Sequence, residues 1–426
     1  MSFSRTKIFQ LDRPTILIYL FLVIFGYFNI LSASKGMDFS TFYDVSKPYG
    51  KQLIFIGLSF VLIFFFMQMD VKFYERFASI IYLSSILSLF GLFILGKKVN
   101  GAISWYEIGR ITIQPAEFAK FATSLALAKY VSDLQTNIEE FRDQLGAIVI
   151  ITVPIILILM QNDAGSGIVF LALIFVLLRE GIQQKYIYVG LSFLTIIIST
   201  LKFSVLNTCL IIAICLAIYQ FLFKLKKKKF TTTLWILFAG ISISLASEWC
   251  YNNMLQKHQK DRISLWLKLE KDPIKLKSMK RSISYNLNES EKAISSGGFL
   301  GKGFNEGTRT KGKFVPAQHT DYIFSTIAEE WGFFGSSFII ILFVLLICRI
   351  IFLAEQNMSH FNRSFGYGVA SILFVHFFIN IGMVMGLIPT IGIPLPLISY
   401  GGSGLLGFTI LIFVFLRLDS ERFKLR

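Results

Sequence analysis

A succession of apolar runs, several of them about 18 residues or longer, constrains this chain more than any other feature. Runs of that length match a helix crossing a hydrocarbon core of about 30 Å. β-Barrel spans would alternate polar and apolar residues instead. With 54% hydrophobic and 16% charged residues in 426, the chain is too apolar to be water-soluble, so lipid must cover much of it. The pattern predicts spans at about 14–34, 52–69, 76–96, 115–132, 145–161, 165–179, 185–202, 204–223, 231–249, 323–348, 366–388 and 402–418. The expected fold is an all-α integral membrane protein, a polytopic helical bundle of about twelve transmembrane helices.

Charge then orients the bundle. The first run follows Arg5, Lys7 and Arg13. It is too long for a signal peptide and carries no convincing small-residue cleavage pattern, so it is expected to stay as a span entering from the cytoplasm. Parity then places Lys72 and Arg76, Arg142, Arg179 and Lys185, and the run Lys224, Lys226, Lys227, Lys228, Lys229 inside. Five lysines in six residues resist translocation, which fixes an even number of spans before them. Both termini are expected in the cytoplasm, in keeping with Arg417, Arg422, Lys424 and Arg426. Lys35, Lys47 and Lys51 fall outside, against the rule, while the acidic Glu139 and Glu140 count little in it.

The same parity puts residues 250–320 outside as one large extracytoplasmic loop, long enough to escape the positive-inside rule. It carries 14 Lys and Arg against 6 Asp and Glu. Such a surface at the lipid boundary attracts anionic headgroups or a pyrophosphate, or is simply solvated. The formal charge of +16 reads as cytoplasmic flanks, not as a nucleic-acid footprint. Cys209, Cys215, Cys250 and Cys348 form no CxxC pair and suggest neither a disulfide framework nor a zinc site.

Unusual residues gather between Ala293 and Gly335. Gly297, Gly298, Gly301 and Gly303 let backbone amides approach a ligand closely, or take turns closed to other residues. Asp321 follows His319 and Thr320 and directly precedes an apolar helix, so a carboxylate stands where water meets lipid. Partial desolvation would raise its proton affinity toward that of a general base, and nearby cations would lower it again. The competing reading is that Asp321 or Thr320 caps the helix. Glu329 and Glu330 follow about 12–13 Å further along the axis, costly unless paired or facing protein or water.

Two further acids stand out. Glu117 and Lys120 share a helix face just after Pro115, as a local ion pair or as substrate contacts. Asp163 in QNDAGSG either meets a headgroup or forms the turn beside Gly165 and Gly167. Pro389, Pro394 and Pro396 interrupt helix before Ser399, Tyr400, Gly401, Gly402 and Ser403, which reads as a re-entrant or interfacial wall of a working site. His376 and Asn380, four residues apart, are expected to face the bundle interior.

Taken in order, WYEIGRITIQPAEFAK, QNDAGSG, HQKDRI, AISSGGFLGKG, VPAQHTDYIFSTIAEEWGFFG and IPTIGIPLPLISYGGSG make the chain resemble the SEDS family of cell-wall glycosyltransferases. The pieces run from about residue 99 to 407. The GIPLP element resembles the RodA branch more than the division branch, FtsW, which tends to carry a basic residue there. The resemblance implies polymerisation of lipid II at the outer face of the bacterial cytoplasmic (inner) membrane, with Asp321 as general base. It implies phosphate contacts from Arg262 first and Lys302 second, and a lipid-facing cavity shaped by Glu117 and Lys120. Trp105, Asp163, His319, Thr320, Glu330, Asn380, Ser399, Tyr400, Gly401, Gly402 and Ser403 complete the implied substrate-binding set.

The implied partners are a class B penicillin-binding protein transpeptidase and the elongation machinery. No cofactor is demanded, although a divalent cation, magnesium or manganese, would assist pyrophosphate departure. Two departures stand out. Ile103 and Ser104 occupy places where the family usually has a basic residue, for which Arg110 is the available substitute. The family's usual ten spans also leave 204–249 as an inserted helix pair within a single domain covering 1–426. A lipid II flippase, another transporter or an inactive scaffold remain the rival readings. Transport would place key acids along a path through the midplane.

Overall fold

Helices form where the apolar runs are, because a backbone in lipid must satisfy its own hydrogen bonds. The computed structural model describes residues 11–35, 44–99, 101–109, 111–223, 227–270, 272, 285–316 and 318–424. Its helices are α1 (Arg13–Lys35), α2 (Pro48–Gln68), α3 (Val71–Leu95), α4 (Pro115–Ser132), α5 (Phe141–Met160), α6 (Ala164–Val169) and α7 (Ile174–Arg179). These are followed by α8 (Lys185–Phe203), α9 (Val205–Phe223), α10 (Lys227–Asn253), α11 (Lys257–Leu267), α12 (Tyr285–Ser296) and α13 (Thr308–Lys311). The last three are α14 (Ile323–Glu355), α15 (His360–Val384) and α16 (Gly402–Asp419). Among the described residues nine helices are long and apolar enough to cross a membrane. Helix α4, the broken pair α6 and α7, and α9 occupy the three remaining expected positions.

The chain divides into two compact units, residues 1–182 with 286–426, and residues 183–285. In the first, α4, α15 and α16 form the interior. The most apolar stretch of α16 is 83% buried and that of α15 67%, against 17% for α2 and for α3, so the latter two present lipid-facing surfaces. Small residues let the interior helices close on one another. A Cβ at Gly368 of α15 would meet Ser124 Oγ of α4 at 2.0 Å, and one at Gly407 of α16 would lie 3.0 Å from the Glu117 carbonyl oxygen.

In the second unit α8 packs on both α9 and α10, so the expected pair at 204–249 sits within a three-helix group that begins before it. Residues 224–226 of the lysine run lie outside the described residues.

One element is absent from the helical reading. Lys97–Val99 (β1), Ala102–Ile108 (β2) and Ile111–Ile113 (β3) form a small antiparallel sheet in the order β1-β2-β3. Its first turn uses Gly101 at φ 93° and its second Gly109 at φ 65°, conformations that suit glycine. A second irregularity is Gly332, at φ 65° and ψ −164°, which breaks α14 two residues after Glu330.

Candidate active site

Three prolines keep the stretch after α15 from continuing as helix, and Leu397 within it adopts φ 63°, a strained value for a side chain of its size. Side chains of neighbouring elements hold it. Asn380 Nδ2 donates to the Asp321 carbonyl at 2.8 Å and to the Ile393 carbonyl at 2.7 Å. Ser399 Oγ donates to the Thr320 carbonyl at 2.7 Å and accepts from Leu395 N at 2.8 Å. Tyr400 N donates to the His319 carbonyl at 2.9 Å. His319, Thr320 and Asp321 are thereby laced to the 391–400 segment.

Asp321 is half-buried, and Gly392 beside it is exposed at φ 90°. A Cβ on Gly392 would stand 3.3 Å from Asp321 Oδ2, so the carboxylate flanks an open stretch of backbone. The N-cap position of α14 falls on Tyr322, whose side chain makes no capping bond, and not on Thr320 or Asp321. Burial holds the His319 imidazole below its ordinary pKa, so it is neutral at physiological pH.

The turns before α4 and α6 meet the same end of the bundle. Asp163 caps α6, accepting from Ser166 N at 3.1 Å and Ser166 Oγ at 2.9 Å. It also accepts from Gln114 Nε2 at 3.0 Å. Gln114 N in turn donates to Ser403 Oγ at 3.0 Å, which joins the hairpin's exit to the start of α16. Ile103 N donates to the Gln161 carbonyl at 2.9 Å, seating β2 on the α5–α6 turn. Trp105, paired with Lys97, is half-buried in the same sheet. Gly165 packs on Ile391, closing the ring of contacts back to the loop beside Asp321.

Beneath these turns, Lys120 Nζ lies 2.7 Å from Glu117 Oε2 and 2.7 Å from His376 Nε2, with the Lys120 and Glu117 side chains 1% and 6% exposed. The pair thus sits among α4, α15 and α16, inside the bundle. His376 Nδ1 is 3.3 Å from the Pro394 carbonyl oxygen.

The two acids of α14 part company. Glu329 accepts from Lys302 Nζ at 2.7 Å, Arg309 N at 2.9 Å, Thr310 N at 2.9 Å and Thr310 Oγ1 at 2.8 Å. Lys302 Nζ also reaches Ser296 Oγ and Thr308 Oγ1, each at 2.8 Å, so its ammonium is engaged in holding the loop to α14. Glu330 is buried and accepts from Ser32 Oγ of α1.

The glycines serve this junction. Lys302 N and Gly303 N donate to the carbonyls of Glu329 and Glu330 at 3.1 and 2.9 Å, while Phe333 N and Phe334 N donate back to Gly298 and Phe299 at 2.9 and 3.1 Å. The close approach is at Gly297 and Gly301, where a Cβ would lie 2.0 Å from the Ala328 carbonyl oxygen and 2.2 Å from that of Glu330.

Arg262 is exposed on α11, in the second unit, whereas the rest of the expected site lies in the first. Arg110 lies outside the described residues. All four cysteines are free thiols. Among the described residues no three or more His, Cys, Asp or Glu gather in a metal-binding group. Sequence reasoning missed Gln114 and Gly392. Both lie within the motifs IQPAEFAK and IPTIGIPLP, where neither residue type by itself points to chemistry.

Helices long and apolar enough to span a bilayer, with polar turns that converge on one end around a half-buried carboxylate, define a polytopic membrane protein with a candidate site at that end. Residues 13–424 match the cell cycle protein family of FtsW, RodA and SpoVE, and the chain belongs to that family. It is 29% identical to the peptidoglycan glycosyltransferase MrdB of Escherichia coli K12 over 398 residues, 93% of this chain and 90% of that protein. It is likewise 29% identical to the peptidoglycan glycosyltransferase RodA of Treponema pallidum over 87% of this chain and 89% of that one. Two solved structures share the fold. A chain of a peptidoglycan synthase complex that coordinates polymerization and crosslinking aligns at TM-score 0.71 and 24% identity, covering 97% of this chain and 99% of that one. The rod shape determining protein RodA of Thermus thermophilus aligns at 0.62 and 22%, covering 97% and 98%.

Proposed function

We propose that this chain is a peptidoglycan glycosyltransferase that polymerises lipid II at the outer face of the bacterial cytoplasmic membrane, for cell elongation and shape. The observation that carries the reading is Asp321: half-buried, laced by its own carbonyl to Asn380, and flanking the open backbone at Gly392. The names of its relatives in the family support the same activity.

In this reading Asp321 takes the proton of the acceptor sugar's 4-hydroxyl as that oxygen bonds to the anomeric carbon of the donor. The bond from that carbon to the undecaprenyl pyrophosphate oxygen breaks, and the lipid pyrophosphate departs with the electron pair. One base suffices, because pyrophosphate leaves without being protonated. Positive charge stabilises the leaving group. Arg262 is proposed for that contact, and Lys302 less directly, since its ammonium already serves Glu329. Both termini are proposed to lie in the cytoplasm, following the lysine run. A class B penicillin-binding protein is the proposed partner, to crosslink the uncrosslinked strands.

The test is to supply lipid II to the purified full-length chain, with such a partner, in proteoliposomes. Wild type is expected to form uncrosslinked glycan and Asp321→Ala to form none while remaining folded. Lipid II that crosses the bilayer without polymer formation would replace this reading with a flippase.

A further inference from the structure

We propose that His376 and Asn380 are positioning residues that fix how Asp321 meets the acceptor hydroxyl, and that the buried Glu117–Lys120 pair acts through His376. The inference rests on the polymerase reading given above.

The far end of the segment after α15 is held partly from within, by Ser399 N on the Leu395 carbonyl at 3.0 Å and by Leu395 N on Ser399 Oγ at 2.8 Å. Pro389, Pro394 and Pro396 have no N–H to donate. Leu397 is held in the left-handed region, a conformation that persists only when its surroundings over-determine it. Residues 393 and 394, by contrast, are restrained from outside the segment. Residues four apart share a helix face, so His376 and Asn380 reach the segment together. They engage consecutive carbonyls, Pro394 at 3.3 Å and Ile393 at 2.7 Å.

Asn380 also ties the segment to Asp321. Its amide has two N–H groups, and one goes to the Asp321 carbonyl at 2.8 Å while the other goes to Ile393. One fully buried side chain thus sets the spacing between the peptide that carries the base and the residue next to Gly392.

His376 extends the linkage inward. An ammonium has no acceptor, so Lys120 donates to Nε2 and the ring proton must sit on Nδ1, where it is given to Pro394. Glu117 holds Lys120 from the other side at 2.7 Å. Glu117, Lys120 and His376 are all buried, so the linkage ends on the loop's backbone. The ion pair's part is to fix the tautomer and orientation of the imidazole that holds the loop.

Misplacing a reacting group by about 1 Å lowers rate by about 10²-fold. Asn380→Ala and His376→Leu in the full-length protein are therefore expected to lower kcat about 10- to 100-fold, with KM for lipid II changed by less than about twofold. His376→Gln can still accept from Lys120 and donate to Pro394, so it is expected to recover most of the rate. Asn380→Ser, which keeps one donor, is expected to fall between Asn380→Ala and wild type, and serves if the alanine variant fails to fold.

Hydrogen exchange supplies a readout independent of turnover: peptides covering 388–400 should exchange faster in Asn380→Ala and His376→Leu while α4 and α16 are unchanged. A wild-type rate in Asn380→Ala, a rise in KM with kcat intact, or unaltered exchange over 388–400 would overturn the proposal. A wild-type protein that forms no glycan would instead defeat the polymerase reading, and the exchange of the loop would still judge the clamp.

Discussion

Lys302 and Glu329 meet at 2.7 Å where the glycine-rich loop joins α14, with Glu329 wholly buried and the Lys302 side chain 25% exposed. Removing Lys302 would leave the buried Glu329 charge without its ionic partner, at a cost of roughly 3–5 kcal/mol. Glu329→Ala is expected to approach that loss, because four further hydrogen-bond donors within 3.3 Å, the Arg309 and Thr310 amides and the Thr310 and Thr308 hydroxyls, also lose their acceptor. Thermal unfolding in detergent measures it. The double variant Glu329→Gln, Lys302→Met should be less destabilised than the sum of its single changes, and strict additivity would show that the two residues are not coupled.

Gly332 and Gly298 both lie at positive φ but differ in surroundings. A Cβ at Gly332 would fall 2.2 Å from Gly301 N, whereas one at Gly298 would meet open space. Gly298→Ala is expected to cost only the conformational strain, about 1–2 kcal/mol. Gly332→Ala must in addition push the loop off α14, so its yield of folded protein should be clearly lower. Equal stability of the two variants would contradict the docking of loop on helix.

Gly392→Ala tests the open face beside the carboxylate. The added methyl would sit 3.3 Å from Asp321 Oδ2 on a backbone at φ 90°. Polymerisation is expected to fall about 10- to 100-fold, the scale of a small misplacement of reacting groups. A fully active Gly392→Ala protein would show that the acceptor does not approach past this residue.

His319 gives the site a pH dependence. Because burial holds its folded-state pKa below the ordinary value, the unfolded chain takes up the proton first as pH falls. Its contribution to stability is thus fully present above about pH 6.5 and is lost below it, down to the folded pKa. Unfolding midpoints measured between about pH 7 and pH 5 should fall more steeply for wild type than for His319→Gln. Parallel slopes would contradict the burial argument.

The spans were legible because lipid imposes one rule on every residue of a helix. Where tertiary partners decide, the sequence was less informative. The segment from Lys97 to Ile113 carries an Asn100-Gly101 turn signal between alternating residues, yet beside long apolar runs it read as a loop. The glycines from 297 to 303 signal close approach without naming what is approached, which at Gly297 and Gly301 is the α14 backbone. Glu329 and Glu330 are adjacent and equivalent in sequence, and only the fold gives one a lysine and two backbone amides from the loop and the other a serine from α1. Gln114 was passed over because its partners, Asp163 and Ser403, are 49 and 289 residues away.

The most direct measurement is the rate of glycan formation from lipid II by Asp321→Asn, a nearly isosteric change that removes the base and little else. The expected loss is about 10²- to 10⁴-fold relative to wild type, the range for a positioned general base, with unfolding behaviour unchanged. A folded Asp321→Asn protein that polymerises at the wild-type rate would contradict the assignment of this carboxylate as the base.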